Sequence, residues 1–138
     1  MHVMHLTPQT QMDRPPRGFT LIELIVVLAI IGLLASIVAP RYVRTVDNAR
    51  EASLKTSLNV MRDAIDKYAA DQGRYPDSLD EMVRRGYLRQ VPEDPLTGRV
   101  DSWQMLPARP DSVVQGQVAD VRSGAAGRAQ DGRPFSAW

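Results

Sequence analysis

The sequence predicts an α+β fold in which one long N-terminal helix, membrane-spanning in its first half, packs on a small antiparallel sheet with a short extra helix. Three observations predict it. Phe19 to Ala39 are 21 residues in which Glu23 alone is ionisable; at about 1.5 Å per helical residue they reach roughly 30 Å, the thickness of a bilayer core. From Val43 to Tyr68 apolar residues recur at spacings of three and four, with one break at Arg50, the stripe of an amphipathic helix. Beyond Gly73 this pattern gives way to short segments separated by Pro, Gly and Asp, the punctuation of turns and strands.

Residues 1–13 are polar and irregular, and Pro15 and Pro16 come after them; Met4 or Met12 could serve as the start with no effect on the segments beyond Gly18. The apolar run carries one costly residue. Glu23 lies one turn inside it, where a charge costs roughly 2.5 to 3.5 kcal/mol at mid-span and less near the interface, so a function is the default reading. Gly32 and Ser36 are four apart, as are Ala35 and Ala39, which places small residues where another helix can approach closely. Pro40 removes a backbone donor and is expected to kink or loosen the helix without ending it.

After Pro40, Val43, Val46, Arg50, Leu54, Leu58, Met61, Ile65 and Tyr68 form one stripe broken only at Arg50, while Glu51, Lys55, Arg62, Asp63 and Lys67 fall on other faces. Gly73 stands at the capping position, before the helix-stopping Tyr75-Pro76. Counted from Phe19 to Gln72 the helix holds 54 residues, or roughly 80 Å. Ser78 with Glu81 three residues on is a capping-box signal for a short helix to about Arg85, ended by Gly86. Pro92, Pro95 and Thr97-Gly98 mark a loop. Val100 to Leu106 and Val113 to Arg122 read as two antiparallel strands, with Gly116 a bulge or break in the second. Ser123 to Arg133 is too rich in Gly and Ala to be regular, and Phe135 and Trp138 are expected to form a last strand or tuck onto the core.

Composition narrows the function. The 17 basic and 16 acidic residues, less Asp13, Arg14 and Arg17, leave 15 of each sign beyond residue 18, so no electrostatic case for nucleic acid arises. There is no cysteine, and both histidines, His2 and His5, precede the apolar run. Beyond residue 18 the chain has neither His nor Cys, which excludes Ser-His-Asp and Cys-His sites and the usual zinc ligand sets there. Ser123 to Gly132 has no Gly-Lys-Ser/Thr ending, so it does not read as a phosphate loop. The span plus roughly 100 further residues leaves room for one small domain. An enzyme is not expected.

Gly18-Phe19-Thr20-Leu21-Ile22-Glu23, the Arg-containing leader before it and the downstream Pro40 resemble the class III signal of type IV prepilins and type II secretion pseudopilins. Gly73-Arg74-Tyr75-Pro76, Gly86-Tyr87-Leu88, Pro92 through Asp94-Pro95, Trp103 and Asp120-Val121-Arg122-Ser123-Gly124 look like the ordered landmarks of the major, or G-type, pseudopilin. Most type IV pilins close their C-terminal loop with a disulfide, which a chain without cysteine cannot do.

The resemblance implies a type IV pilin-like fold and three segments: a leader over 1–18, a transmembrane and filament-core helix over 19–39, and a periplasmic domain over 40–138. It implies that a prepilin peptidase cuts between Gly18 and Phe19 and methylates the Phe19 amine, and that Glu23 serves assembly. The partners it implies are further copies of the chain, other pseudopilins, the peptidase, the assembly platform and the inner membrane. Arg14 and Arg17 before the span and Arg41, Arg44 and Arg50 after it leave topology undecided by charge, so single-pass insertion with the C-terminal domain in the periplasm also rests on the resemblance. G-type pseudopilins bind calcium near the C-terminus. The positions here that could correspond are Ser123 and Asp131, but the family's second aspartate is Gly132. One carboxylate is a poor site for a cation that prefers six to eight oxygens, and no cofactor is assigned.

The other readings are weaker. An ordinary secretory signal has an apolar core of about 7–15 residues, and its best cut here, after Ala39, would leave Pro40 next. A plain anchor with Glu23 snorkelling to the interface remains an alternative. In function the alternatives are a minor type IV pilin serving adhesion, DNA uptake or motility, and a membrane-anchored enzyme or binding domain, which the missing His and Cys disfavour.

Overall fold

The computed structural model describes residues 14–138; the polar segment expected over residues 1–13 lies outside the described residues. The chain divides into two compact units, the first ending at Pro40 and the second running Arg41–Trp138. The element order is α1 (Leu21–Gln72), α2 (Leu79–Arg84), β1 (Gln104–Leu106), β2 (Asp120–Arg122) and a 3-10 turn at Phe135–Ala137. This is the expected α+β layout of one long helix, a short helix and a small antiparallel sheet.

α1 begins two residues later than the apolar run because Thr20 caps it. The Thr20 hydroxyl accepts from the Glu23 amide at 3.2 Å, the Glu23 carboxylate accepts from the Thr20 amide at 2.9 Å, and the Leu24 amide donates to the Thr20 carbonyl. These bonds satisfy amides that a helix start otherwise leaves orphaned. The helix continues through Pro40. It stops at Gly73, whose amide donates to the Ala69 carbonyl at 2.9 Å with φ at +71°, the left-handed conformation of a C-terminal cap.

In the second unit the stripe is buried from Leu54 onward: Leu54, Leu58, Met61, Ile65 and Tyr68, with Ala64 beside them. Val43 and Arg50 are exposed and Val46 is half-buried, so the first part of the stripe lacks cover. The cover that exists comes from α2, the loops and the C-terminal segment, through Leu79, Met82, Leu88, Trp103, Val118, Val121, Phe135 and Trp138. Each such side chain, once buried, contributes about 1.5–3 kcal/mol from apolar burial.

The strands are shorter than the sequence predicts. β1 and β2 pair over three residues each, Gln104 with Arg122, Met105 with Val121 and Leu106 with Asp120, and Val100 to Trp103 and Val113 to Ala119 are not strand. The Trp103 indole N–H donates to the Pro92 carbonyl at 2.7 Å. The stretch around Gly116 bonds on two sides: the Tyr75 amide donates to the Gln115 carbonyl at 2.8 Å and the Val118 amide to the Pro76 carbonyl at 3.0 Å, while the Gly116 carbonyl accepts from the Ala108 amide at 3.0 Å. A Cβ on Gly116 would lie 2.5 Å from that of Tyr75, so this close approach requires glycine. Phe135 and Trp138 do tuck onto the core, as a 3-10 turn rather than a strand, with their rings edge to face at 5.7 Å.

Aromatic landmarks also take core positions. Trp103 is buried, Tyr75 and Tyr87 pack half-buried against the core, and the Tyr87 ring meets Tyr68 edge to face at 5.1 Å. α2 is capped by Ser78, whose hydroxyl accepts from the Glu81 amide at 3.1 Å. The Glu81 carboxylate turns back one residue further than a simple capping box, to the Asp77 amide at 2.7 Å. It also accepts from the buried Tyr68 hydroxyl at 2.6 Å and from Arg74 at 2.9 Å. The Tyr68 bond and then the Asp77 amide lower the Glu81 carboxyl to about 2 against the opposing effect of burial, with Arg74 adding to the lowering.

Candidate functional site: the start of the long helix and the C-terminal loop

Phe19 is 91% exposed, and Leu21, Ile22, Leu24, Ile25 and the apolar residues after them are about half exposed or more. Such a surface needs lipid or other helices around it. Gly18 and Gly32 have nothing within 4 Å of where a Cβ would stand, so the Gly32 face is open to a neighbour. Ser36 is on the same exposed helix, and its hydroxyl donates to the Leu33 carbonyl at 2.7 Å, which satisfies it within its own turn. Glu23 is the one acid in the first turn. Its bond to the Thr20 amide gives it a local capping role that the spacing alone could have revealed, since Thr20 followed three residues later by Glu23 is the signature of a capping box; the sequence reading missed it. The bond to Thr20 uses Oε2.

The C-terminal residues considered for calcium are engaged elsewhere. Ser123 is buried, and its hydroxyl donates to Asp94 Oδ2 at 2.6 Å while accepting from the Ala125 amide at 3.1 Å. Asp94 bonds a nearby amide as a turn residue does, its Oδ1 accepting from Leu96 at 2.9 Å; its complete burial against Ser123 has no local sequence signal. Asp131 is exposed and spends both oxygens on Arg133: Oδ1 accepts from its amide at 3.0 Å and Oδ2 from its Nε at 2.8 Å. These bonds hold the Asp131 carboxyl below the usual range, the Arg133 amide first among them. Among the described residues no three His, Cys, Asp or Glu side chains cluster as metal ligands. Among the described residues the buried side-chain polar atom left without a partner, Trp138 Nε1, is a donor, whereas a metal needs acceptors. The donor set does not fit calcium.

Arg62, read from its spacing as part of a solvated face, instead ties α1 to the C-terminal region. Its Nε donates to Asp120 Oδ1 at 2.8 Å, and its Nη2 donates to the main-chain oxygens of Val121 at 3.0 Å and Trp138 at 2.8 Å. No local sequence signal announces this, because the three partners lie 58 to 76 residues away.

Residues 13–39 match the family described as the prokaryotic N-terminal methylation motif. The chain is similar to the type II secretion system core protein G of Klebsiella michiganensis, with 33% identity over an alignment of 98 residues covering 59% of this chain and 69% of that protein. It is similar to the protein of the same name from Aeromonas hydrophila at 32% over 109 residues, covering 67% and 74%. It also resembles the type IV major pilin protein PilA of Myxococcus xanthus, at 38% over 66 residues, covering 48% of this chain and 30% of that one. No solved structure gives a significant match. None of these names describes an enzyme. With its methylation motif, its apolar first helix and relatives of this identity and coverage, the chain belongs to the family of type II secretion system core protein G, the major pseudopilins.

Proposed function

We propose that the chain is the polymerising subunit of a secretion pseudopilus, and that the exposed apolar surface of α1 between Phe19 and Val38 is its assembly surface. The observation that carries this reading is the combination of that surface with a single carboxylate, Glu23, in the first turn. In this reading the prepilin peptidase cuts after Gly18 and methylates Phe19, and the chain waits in the inner membrane with residues 40–138 in the periplasm. The assembly platform then draws it into a filament with other pseudopilins, and the growing filament helps to drive folded proteins through the outer-membrane secretin. Glu23 meets the new ammonium group of a neighbour's Phe19, since each charge is costly in an apolar filament core unless paired. Gly32 and Ser36 let helices approach.

The test separates the capping role of Glu23 from its charge. Glu23→Gln keeps an oxygen for the Thr20 amide and removes the charge, while Glu23→Ala removes both. Both variants are expected to insert in the membrane and lose the leader as the parent does, and both are expected to lose secretion. Normal secretion by Glu23→Gln would show that the charge is not needed for assembly.

A further inference from the structure

We propose that the C-terminal loop of this chain is closed by its own guanidinium groups, those of Arg128 and Arg133, in place of a bound divalent cation, so that the domain folds independently of calcium. The loop from Gly127 to Phe135 is a tight reversal. Arg128 and Pro134 form an antiparallel bridge, the Ala129 amide donates to the Arg133 carbonyl at 2.8 Å, and the Gly132 amide donates to the Ala129 carbonyl at 2.9 Å. The oxygens at its tip are the ones a hard cation would seek, and side-chain cations hold them. Arg128 donates to the Gly132 carbonyl at 2.9 Å, and Arg133 occupies the second oxygen of Asp131 at 2.8 Å.

The surroundings add positive charge. Arg133 lies over the Trp138 ring at 5.7 Å and the Lys55 ammonium lies over the same ring at 4.6 Å. A divalent ion at Asp131 would have to displace Arg133 and tolerate Arg128 and Lys55 nearby, with one carboxylate to hold it. The preferred six to eight oxygens are not assembled there. The loop is anchored to the long helix by a neutral donor and a carboxylate: the Gln130 amide donates to Glu51 at 2.9 Å. In this arrangement Arg133 does by charge what a second acid and a metal would do by coordination.

The experiment uses the full-length protein in detergent. Thermal unfolding is followed by tryptophan fluorescence, with millimolar calcium in one arm and a chelator in the other. The parent is expected to melt at the same temperature in both. The double variant Arg128→Ala/Arg133→Ala is expected to melt lower by about 4 °C or more, equally in both arms. A rise of several degrees on adding calcium to the parent would overturn the proposal, because a ligand held by the native state alone must raise its stability. So would a double variant that melts like the parent. If the double variant does not fold, the parent's two arms decide by themselves, an unchanged melting temperature supporting the proposal and a calcium-dependent one refuting it.

Discussion

Glu81 is the buried charge on which the junction between α1 and α2 depends, and acid titrates it directly. Its carboxyl is lowered from 4.5 to about 2 in the folded chain. At 1.36 kcal/mol for each unit, that shift corresponds to about 3 kcal/mol of stability, an order-of-magnitude figure. The sign follows from the direction: a depressed carboxyl stabilises fully above the unfolded value near 4.5, and the contribution drains away as pH falls toward about 2. Tyr68 stays a donor throughout, because burial and its bond to Glu81 raise the phenol above its ordinary value. In Glu81→Gln the charge is gone; the Tyr68 hydroxyl and the Asp77 amide bond different carboxylate oxygens, so one of these donors meets the amide nitrogen, and Arg74 keeps the Tyr75 carbonyl at 3.2 Å and Asp77 at 3.6 Å. The assay is urea unfolding followed by tryptophan fluorescence at pH 7, 5, 4 and 3, on parent and Glu81→Gln. The parent is expected to exceed the variant by about 2–3 kcal/mol at pH 7 and to lose most of that margin by pH 3. A margin that stays constant with pH would refute the buried-carboxylate account, and a negligible margin at pH 7 would show that the network contributes nothing net.

Mass spectrometry of membrane-extracted protein is expected to find a chain beginning at Phe19 with one added methyl group; an uncut leader in cells with active prepilin peptidase would contradict the processing proposal. A chain starting at Tyr42, which keeps the buried stripe and its cover, is expected to be soluble and to unfold cooperatively, as judged by circular dichroism and sedimentation. Gly116→Ala places a methyl against Tyr75 at a φ of +151°, and its urea midpoint is expected to fall by an amount equivalent to about 1–3 kcal/mol. Ser123→Ala leaves the fully buried Asp94 carboxylate without its hydroxyl donor, with an expected loss of about 1–3 kcal/mol in the same assay.

The long helix was legible in the sequence because its signals are local. An apolar run of bilayer length, a stripe at helical spacing and Gly73 before Tyr75-Pro76 each act over a few neighbouring residues, and the observed α1 departs from the prediction only where Thr20 caps it. Ser78 and Glu81 likewise marked the start of α2. The functional class was legible in Gly18 to Glu23 and the later landmarks, whose resemblance to the pseudopilins the matching family and relatives bear out; the apolar run and the lack of His and Cys beyond residue 18 only narrowed it. The rest was decided by partners far apart in the chain. How far the second strand-like stretch extends as a ladder depends on distant partners, since Tyr75 and Pro76 bond Gln115 and Val118. Arg62 looked like a surface charge until Asp120, Val121 and Trp138 came within reach. Ser123 and Asp131, the positions that the pseudopilin resemblance offered for calcium, bond Asp94 and Arg133 in the fold. A periodic pattern fixes which residues face inward, but the identity of a polar side chain's partner depends on tertiary distance, which the order of residues does not state.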